Sequence, residues 1–342
     1  MTANLSPVEA SEKSALSAEA CLVEAVNLAL HYELEDDESV VVLGEDIGKN
    51  GGVFRATVDL QERFGKRRVC DTPLAEGLIA GLSVGLATQG LRPVAEIQFM
   101  GFMFPALEQI ICHAARMRNR TRGRLSCPLT IRIPFGGGIH APEHHSESTE
   151  ALLAHIPGLR VVIPSSAAKA YGLLLAAIRD PDPVIFLEPK RIYRAQKQLI
   201  VNDGKALPLD TCFTLCEGTD LTLVSWGAMI SECNQVVESL ANQGVSIELI
   251  DVATIKPLDM ETILTSVRKT GRCVIVHEAA RTGGFGAEIA AELGEHALLD
   301  LKAPVSRVTG FDTIMPYASK EAIYMPNTQD IENQIKLTLA FS

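Results

Sequence analysis

The residues able to do chemistry cluster in a few short segments. In Asp71-Thr72-Pro73-Leu74-Ala75-Glu76-Gly77, continued by Leu78-Ile79-Ala80-Gly81-Leu82-Ser83-Val84-Gly85, one acid stands at the head of an apolar helical pattern. Thr72 and Pro73 predict its N-cap and first helical position. Gly77, Gly81 and Gly85 share one face of that helix. Each costs about 1 kcal/mol relative to Ala in a helix interior, so three in register call for close backbone approach by another helix. Glu76 falls in the first turn, where the helix dipole alone favours an acid. The alternative is a carboxyl held at a subunit interface for a proton task, and spacing does not separate the two.

A second segment runs from Ile131-Arg132-Ile133-Pro134-Phe135 through Gly136-Gly137-Gly138 to Ile139-His140-Ala141-Pro142-Glu143-His144-His145-Ser146. A strand thus delivers three histidines at its carboxyl end, where open α/β sheets place their ligand sites. A catalytic histidine, a metal ligand and plain loop polarity are the competing readings. Zinc fits poorly, because adjacent loop histidines lack helical i,i+4 spacing and thiolate partners. No GxxxxGK[ST] follows, which disfavours a phosphate loop.

Glu96-Ile97-Gln98-Phe99-Met100-Gly101-Phe102-Met103-Phe104-Pro105 carries three of the chain's eleven Phe. It reads either as a core cluster or as an apolar slot for a flat ring, with Gln98 as a polar contact. Gly283-Gly284-Phe285-Gly286 resembles an anion site at a helix N-terminus, but the signal is weak and a plain tight turn is the better reading.

These segments hang on an alternation of strand and helix signals. Helical patterns are expected over 17–34, 72–89, 105–118 and 166–179, with buried strands over 39–43, 93–97, 129–133, 159–163 and 184–188. Residues 189–213 lose periodicity and read as a linker. Beyond it, strands over 221–225, 246–250 and 273–277 alternate with helices over 228–242, 258–269 and 286–297. Short apolar strands separated by helices mean βαβ units and mostly parallel sheets. The expected division is a tail over 1–16, an α/β domain over 17–200 and a second α/β domain over 210–342.

Composition narrows the function classes. Of 342 residues, 47% are apolar and 21% charged, as in a globular chain. A net charge of −11 argues against a nucleic-acid partner, which needs clustered positive charge. No apolar run approaches the ~20 residues of a membrane span. Eight scattered cysteines without a CxxC pair suit a reduced, cytoplasmic protein. The first 15 residues hold one Lys, no Arg and no apolar stretch. Neither a secretory nor a mitochondrial leader is therefore expected.

Taken in order, several runs become recognisable: Leu43-Gly44-Glu45-Asp46-Ile47-Gly48, Gly51-Gly52-Val53-Phe54-Arg55, Asp71 to Glu76, and Arg132 to Gly138. His145-Ser146, Pro157-Gly158-Leu159-Arg160-Val161-Val162, Asp182-Pro183-Val184 and His277-Glu278 follow with matching spacing. From about residue 17 onward the chain resembles the beta subunit of the decarboxylating component of 2-oxoacid dehydrogenase complexes. That resemblance implies a thiamine-diphosphate pyrimidine-binding domain, with a parallel sheet and helices on both faces, followed by a transketolase C-terminal-type α/β domain. It also implies an α2β2 heterotetramer with an alpha subunit, serving a lipoyl acyltransferase core and a 2-oxoacid substrate.

By resemblance, Glu76 hydrogen-bonds N1′ of the cofactor's aminopyrimidine and passes it a proton. Phe102 packs on that ring, Gln98 and Leu74 are further pocket contacts, and Glu45 is a nearby acid. His145 assists transfer of the acyl unit to lipoamide. A structural monovalent cation, usually potassium, is matched by Leu129, Ala177, Ile178, Asp180 and Asp182. Backbone carbonyls and two acids suit such a weakly demanding ion, while an Asp-Pro turn explains the same residues without one. Enzymes that hold thiamine diphosphate through magnesium resemble one another in a Gly-Asp-Gly motif, and this chain contains none. The diphosphate and its magnesium are therefore expected on the alpha subunit, which argues against a single-chain transketolase. Pyruvate is the expected substrate, with branched-chain 2-oxoacids next and acetoin third. A non-catalytic assembly subunit is the rival from another class, and retention of both Glu76 and His145 weighs against it.

Overall fold

The computed structural model describes residues 17–341, and the tail expected over 1–16 lies outside them. The chain opens with β1 (Ser17–Ala20), α1 (Leu22–Asp36), β2 (Val40–Gly44), α2 (Leu60–Phe64), β3 (Val69–Asp71), α3 (Glu76–Thr88) and β4 (Arg92–Glu96). A 3-10 segment (Met100–Ala106), a π-helical turn (Gln109–Ala114) and α4 (Met117–Arg120) lead to β5 (Thr130–Phe135). Next come α5 (Glu150–Ala154), β6 (Arg160–Val162), α6 (Ala167–Arg179), β7 (Val184–Pro189), β8 (Gln198–Val201) and β9 (Phe213–Cys216). The remainder is β10 (Leu221–Ser225), α7 (Ile230–Ala241), β11 (Ile247–Asp251), β12 (Thr254–Lys256), α8 (Met260–Thr270), β13 (Cys273–Ala280), α9 (Gly286–His296), β14 (Ser306–Gly310), α10 (Ala318–Tyr324) and α11 (Thr328–Leu339).

Seven strands form the first sheet in the order β12-β6-β7-β5-β4-β2-β3, parallel except for β12. Every residue of β2, β5 and β7 is buried, which explains why they read as continuous apolar runs. Val26 and Leu30 of α1 and Leu174 of α6 cover one face, against Val42, Val94 and Phe186. Ile79, Ala80 and Val84 of α3 pack with Met103 and Ile110 on the other, against Ala95, Ile97 and Ile131. The second sheet has the order β14-β13-β10-β11-β9, antiparallel only at β9. Val224, Ile250 and Ile275 belong to the same core as Ile131 and Ile133, so the two sheets share packing.

One charged cluster interrupts the first sheet. Arg132 on β5 is fully buried and bridges Glu96 Oε2 on β4 (2.8 Å) and Glu188 Oε1 on β7 (2.7 Å). The Tyr193 hydroxyl donates to Glu188 at 2.5 Å. Each ion alone would be expensive in that interior, but the bidentate fork satisfies them together.

Several elements differ from expectation for visible reasons. The helix expected over 17–34 starts after Cys21, because Ser17–Ala20 pairs antiparallel with Gln198–Val201. That pairing also puts a strand inside the expected linker. Thr72 does not cap α3, since its amide donates to the Gly44 carbonyl (2.9 Å) and prolongs the β2–β3 ladder. The helix starts at Glu76 with Ala75 as N-cap. Residues 105–118 do not form one α-helix but pass through 3-10, π and α turns, with Pro105 lacking a donor.

Candidate active site

The ladder ends place two carboxylates together. Glu45 follows the last residue of β2, and Glu76 opens α3 beside the free amides of its first turn. Both are half-buried. Desolvation pushes the Glu45 carboxyl above its ordinary range, and the neighbouring charges of Asp46 and Glu76 add to the effect. Leu74 is 72% exposed just ahead of Glu76, with Leu78 and Leu82 beyond it on an open apolar face. Gly77 and Gly81 are approached within this chain by the Pro105 carbonyl and the Gln109 side chain, whereas Gly85 faces open space. Gln98 sits half-buried two residues beyond β4.

His145 is caught between aromatic rings. Its ring lies 4.5 Å from Phe99 at 68° and 5.1 Å from Phe102 at 76°, both edge-on. Phe99 in turn meets Phe54 at 5.4 Å, and Lys190 Nζ stands 5.8 Å from the Phe99 ring centre. Gly101 makes this approach possible, because a Cβ there would collide with the His144 carbonyl. His145 Nδ1 is buried without a hydrogen-bond partner. A desolvated ring nitrogen with no partner is available to a ligand, since leaving it unsatisfied is costly. The structure therefore joins Phe102 to His145 and Glu76 to Glu45. Between these pairs lies the contact of α3 with the 100–106 segment, at Gly77 and Pro105.

Buried ionisable groups surround the histidine loop. Lys190 Nζ donates to the Gly136 carbonyl at 2.5 Å, and burial lowers that ammonium to about 8. Glu150 accepts from Trp226 Nε1 (3.3 Å) and is raised to about 8 by burial. His277 stacks on Trp226 (5.3 Å, 15°), and burial lowers it to about 4. Motif reading overlooked Phe99, Lys190 and Glu150 as neighbours of the loop. Only the density of Phe around 99–104 hinted at the first, and nothing local marked the other two.

The positions matched to a monovalent cation converge at the end of α6. The Ile178 and Asp180 carbonyls lie 2.9 and 3.3 Å from Arg92 Nη1, while the Ala177 carbonyl accepts the Asp180 amide. The Leu129 carbonyl accepts the Val184 amide (2.9 Å). Asp180 is paired with Arg160 and Asp182 with Arg118, so carbonyl lone pairs are the oxygens left for an ion. Among the described residues no group of three or more His, Cys, Asp or Glu side chains is placed to hold a metal.

A cavity of about 750 Å³ lies elsewhere. Leu152, His155, Lys256, Phe285 and Glu288 line it, and neither Glu76 nor His145 does. It is a cleft between the two sheets' helices, and the paired acids and the orphaned histidine mark the chemistry better than its size does.

Comparison with known proteins gives this geometry a family. The model described as transketolase, pyrimidine binding domain, matches residues 19–196, and that of the transketolase C-terminal domain matches 211–331. The chain is 49% identical over 315 residues to the pyruvate dehydrogenase E1 component subunit beta of Acholeplasma laidlawii, covering 92% of this chain and 96% of that one. Against the Bacillus subtilis protein of the same name the identity is 46% over 324 residues, covering 95% and 100%. A solved structure titled split gene transketolase, inactive beta4 tetramer, shares the fold with a TM-score of 0.78 at 24% identity, covering 95% of this chain and 99% of that one. With a carboxylate at the head of α3, a histidine loop beyond β5 and near full-length likeness, the chain belongs to the family of pyruvate dehydrogenase E1 component beta subunits.

Proposed function

We propose that this chain is the beta subunit of a thiamine-diphosphate-dependent 2-oxoacid dehydrogenase that acts on pyruvate and passes the acyl unit to a lipoyl group. The observation that carries the proposal is the Glu45–Glu76 pair at the head of α3, beside the exposed face of Leu74, Leu78 and Leu82. Such a face on a helix that starts with a partly desolvated acid describes half of a site, to be closed by another chain.

Thiamine diphosphate, when bound, supplies the electron sink that decarboxylation of a 2-oxoacid requires. Glu76 fits the aminopyrimidine end of that cofactor: it holds a proton at the ring nitrogen N1′, with Glu45 as the adjacent acid. Phe102 and Leu74 give the ring apolar walls, and Gln98 a polar contact. His145 acts later, at the lipoyl sulfur. Opening a dithiolane leaves a thiolate that must be protonated, and a histidine whose ring is fixed edge-on by Phe99 and Phe102 can deliver that proton.

The diphosphate and its magnesium fall to an alpha subunit in an α2β2 assembly, since no Gly-Asp-Gly motif occurs here. Carbonyls of Leu129, Ala177, Ile178, Asp180 and Asp182 make a potassium site of structural character. The working compartment is the cytoplasm; among the described residues no helix is long and apolar enough to cross a membrane. The deciding experiment is reconstitution with the alpha subunit, thiamine diphosphate and magnesium, assayed on pyruvate and 2-oxoisovalerate. Turnover on pyruvate is expected to dominate; a preference for the branched substrate would reassign the subunit.

A further inference from the structure

The loop that carries His145 has little regular structure of its own. Between β5 and α5 it forms one 3-10 turn, Glu143–His145. Gly136, Gly138 and His140 all have positive φ (86°, 85° and 58°), so the backbone stands in conformations that residues with side chains seldom adopt. A loop of this kind keeps its shape only where its amides find fixed acceptors.

Two carboxylates from the far end of the chain provide them. Glu321, on α10 and almost fully buried, accepts the Gly138 amide on one oxygen. Its other oxygen takes the His140 amide (2.8 Å) and lies 2.9 Å from His140 Nδ1. Glu278, buried at the end of β13, accepts the Ser148 hydroxyl at 2.6 Å. A Cβ at Gly136 would collide with the same Glu278 carboxylate. The two ends of the loop are thus tied to separate acids, with His145 suspended between them. Neither acid belongs to the sheet that carries the loop: β13 lies in the second sheet and α10 follows β14.

We propose that Glu278 and Glu321 are positioning residues, which together set where His145 stands relative to Phe99 and Phe102. The second half of the chain thereby governs the acyl-transfer step without touching substrate. This rests on the reading of His145 as the residue that serves the lipoyl group. Charge-assisted bonds from backbone amides suit the purpose, because they fix a loop more firmly than neutral ones. Burial raises the Glu278 carboxyl above its ordinary range, while Ser148, Arg191 and Lys190 pull it back toward the ionised form.

The test uses the assembled enzyme with Glu321→Ala, Glu321→Gln, His145→Ala and the Glu321→Ala/His145→Ala double variant. Three quantities are read: acylation of a lipoyl domain, decarboxylation with ferricyanide as acceptor, and hydrogen exchange of the Gly138 and His140 amides. Glu321→Ala is expected to speed that exchange and to slow acylation by at least about tenfold, the scale of a misplaced catalytic group. Decarboxylation with ferricyanide should stay unchanged, and Glu321→Gln, which keeps one acceptor, should fall between Ala and the native enzyme. The double variant should be no slower than His145→Ala, because both changes remove one function. Unchanged exchange in Glu321→Ala, or a double loss equal to the product of the single losses, would overturn the proposal. If His145→Ala acylates normally, the functional reading of His145 fails instead, and the exchange result alone decides whether the carboxylate holds the loop.

Discussion

Phe99 and His145 meet edge to face, 4.5 Å apart and inclined at 68°, so the orientation of the imidazole is set by an apolar ring, itself facing Lys190 on another side. Such a contact contributes about 0.5–1.5 kcal/mol beyond simple burial. Phe99→Leu keeps the core filled but removes the ring. Acyl transfer to a lipoyl domain is expected to drop several-fold while decarboxylation with an artificial acceptor holds. Equal losses in the two assays would show that Phe99 shapes the whole pocket rather than the histidine.

Glu76→Gln should preserve fold and assembly but lower decarboxylation by at least about 10²-fold, the usual scale of a lost proton-transfer group. Initial rates with saturating pyruvate and cofactor check it. A variant that turned over normally would remove Glu76 from the proton path.

Gly85 faces open space in this chain, so Gly85→Leu costs the isolated subunit little. On the exposed α3 face, however, a leucine would hold a packed partner helix away. The variant should retain its circular dichroism spectrum yet fail to co-elute with the alpha subunit. Gly81→Leu should do the same, with a small additional stability loss from crowding Gln109. Normal co-elution of both would place the subunit contact on another face.

The buried histidine makes stability depend on pH. Burial lowers His277 to about 4 from its ordinary 6.5, so between those values the unfolded chain binds the proton and the folded chain does not. The contribution of His277 is therefore complete above pH 6.5 and falls as pH decreases through the window, by as much as about 3 kcal/mol. Denaturant titrations of the native chain and of His277→Leu at pH 7 and pH 4.5 isolate it: relative to the native chain, the variant should gain stability at pH 4.5. The buried Glu150 carboxyl, raised to about 8, has the opposite sign: its contribution is present at low pH and fades between 4.5 and 8. Glu150→Gln should therefore lessen the loss of stability on going from pH 5 to pH 8.

Arg132→Met would strand Glu96 and Glu188 in the centre of the first sheet. Removing one member of a buried ionic group costs about 3–5 kcal/mol. The expected result is a sharply lowered unfolding midpoint at neutral pH, and an unchanged midpoint would show that water reaches the cluster.

The inner parallel strands of both sheets and most helices were legible in the sequence because burial on both faces writes itself as runs such as Val40 to Leu43 and Val184 to Leu187, whereas the edge strands β3, β9, β12 and β14 carry no such run. Family likeness brought Glu76, Phe102 and His145 forward, and the structure brings Phe102 against His145. What stayed hidden depends on partners distant along the chain. Thr72 has every local mark of an N-cap, yet the hydrogen bond its amide donates to the Gly44 carbonyl outweighs them. Ser17–Ala20 looks like the start of a helix until Gln198–Val201 pairs with it. Glu321 sits in an ordinary polar helix, and nothing within ten residues of it announces that it faces Gly138 across the fold.

The short strand β12 carries a consequence for how the chain is made. Thr254–Lys256 pairs with Val161 and Val162, so the edge of the first sheet is completed by residues that emerge from the ribosome only after β10 and β11 of the second. The earlier half must wait with the β6 edge bare until that stretch arrives, and bare strand edges invite pairing with other chains. Cutting the gene near residue 205 would make that exposure permanent. The two halves are thus stitched by a strand as well as joined in sequence, and are expected to acquire their final stability in one cooperative step.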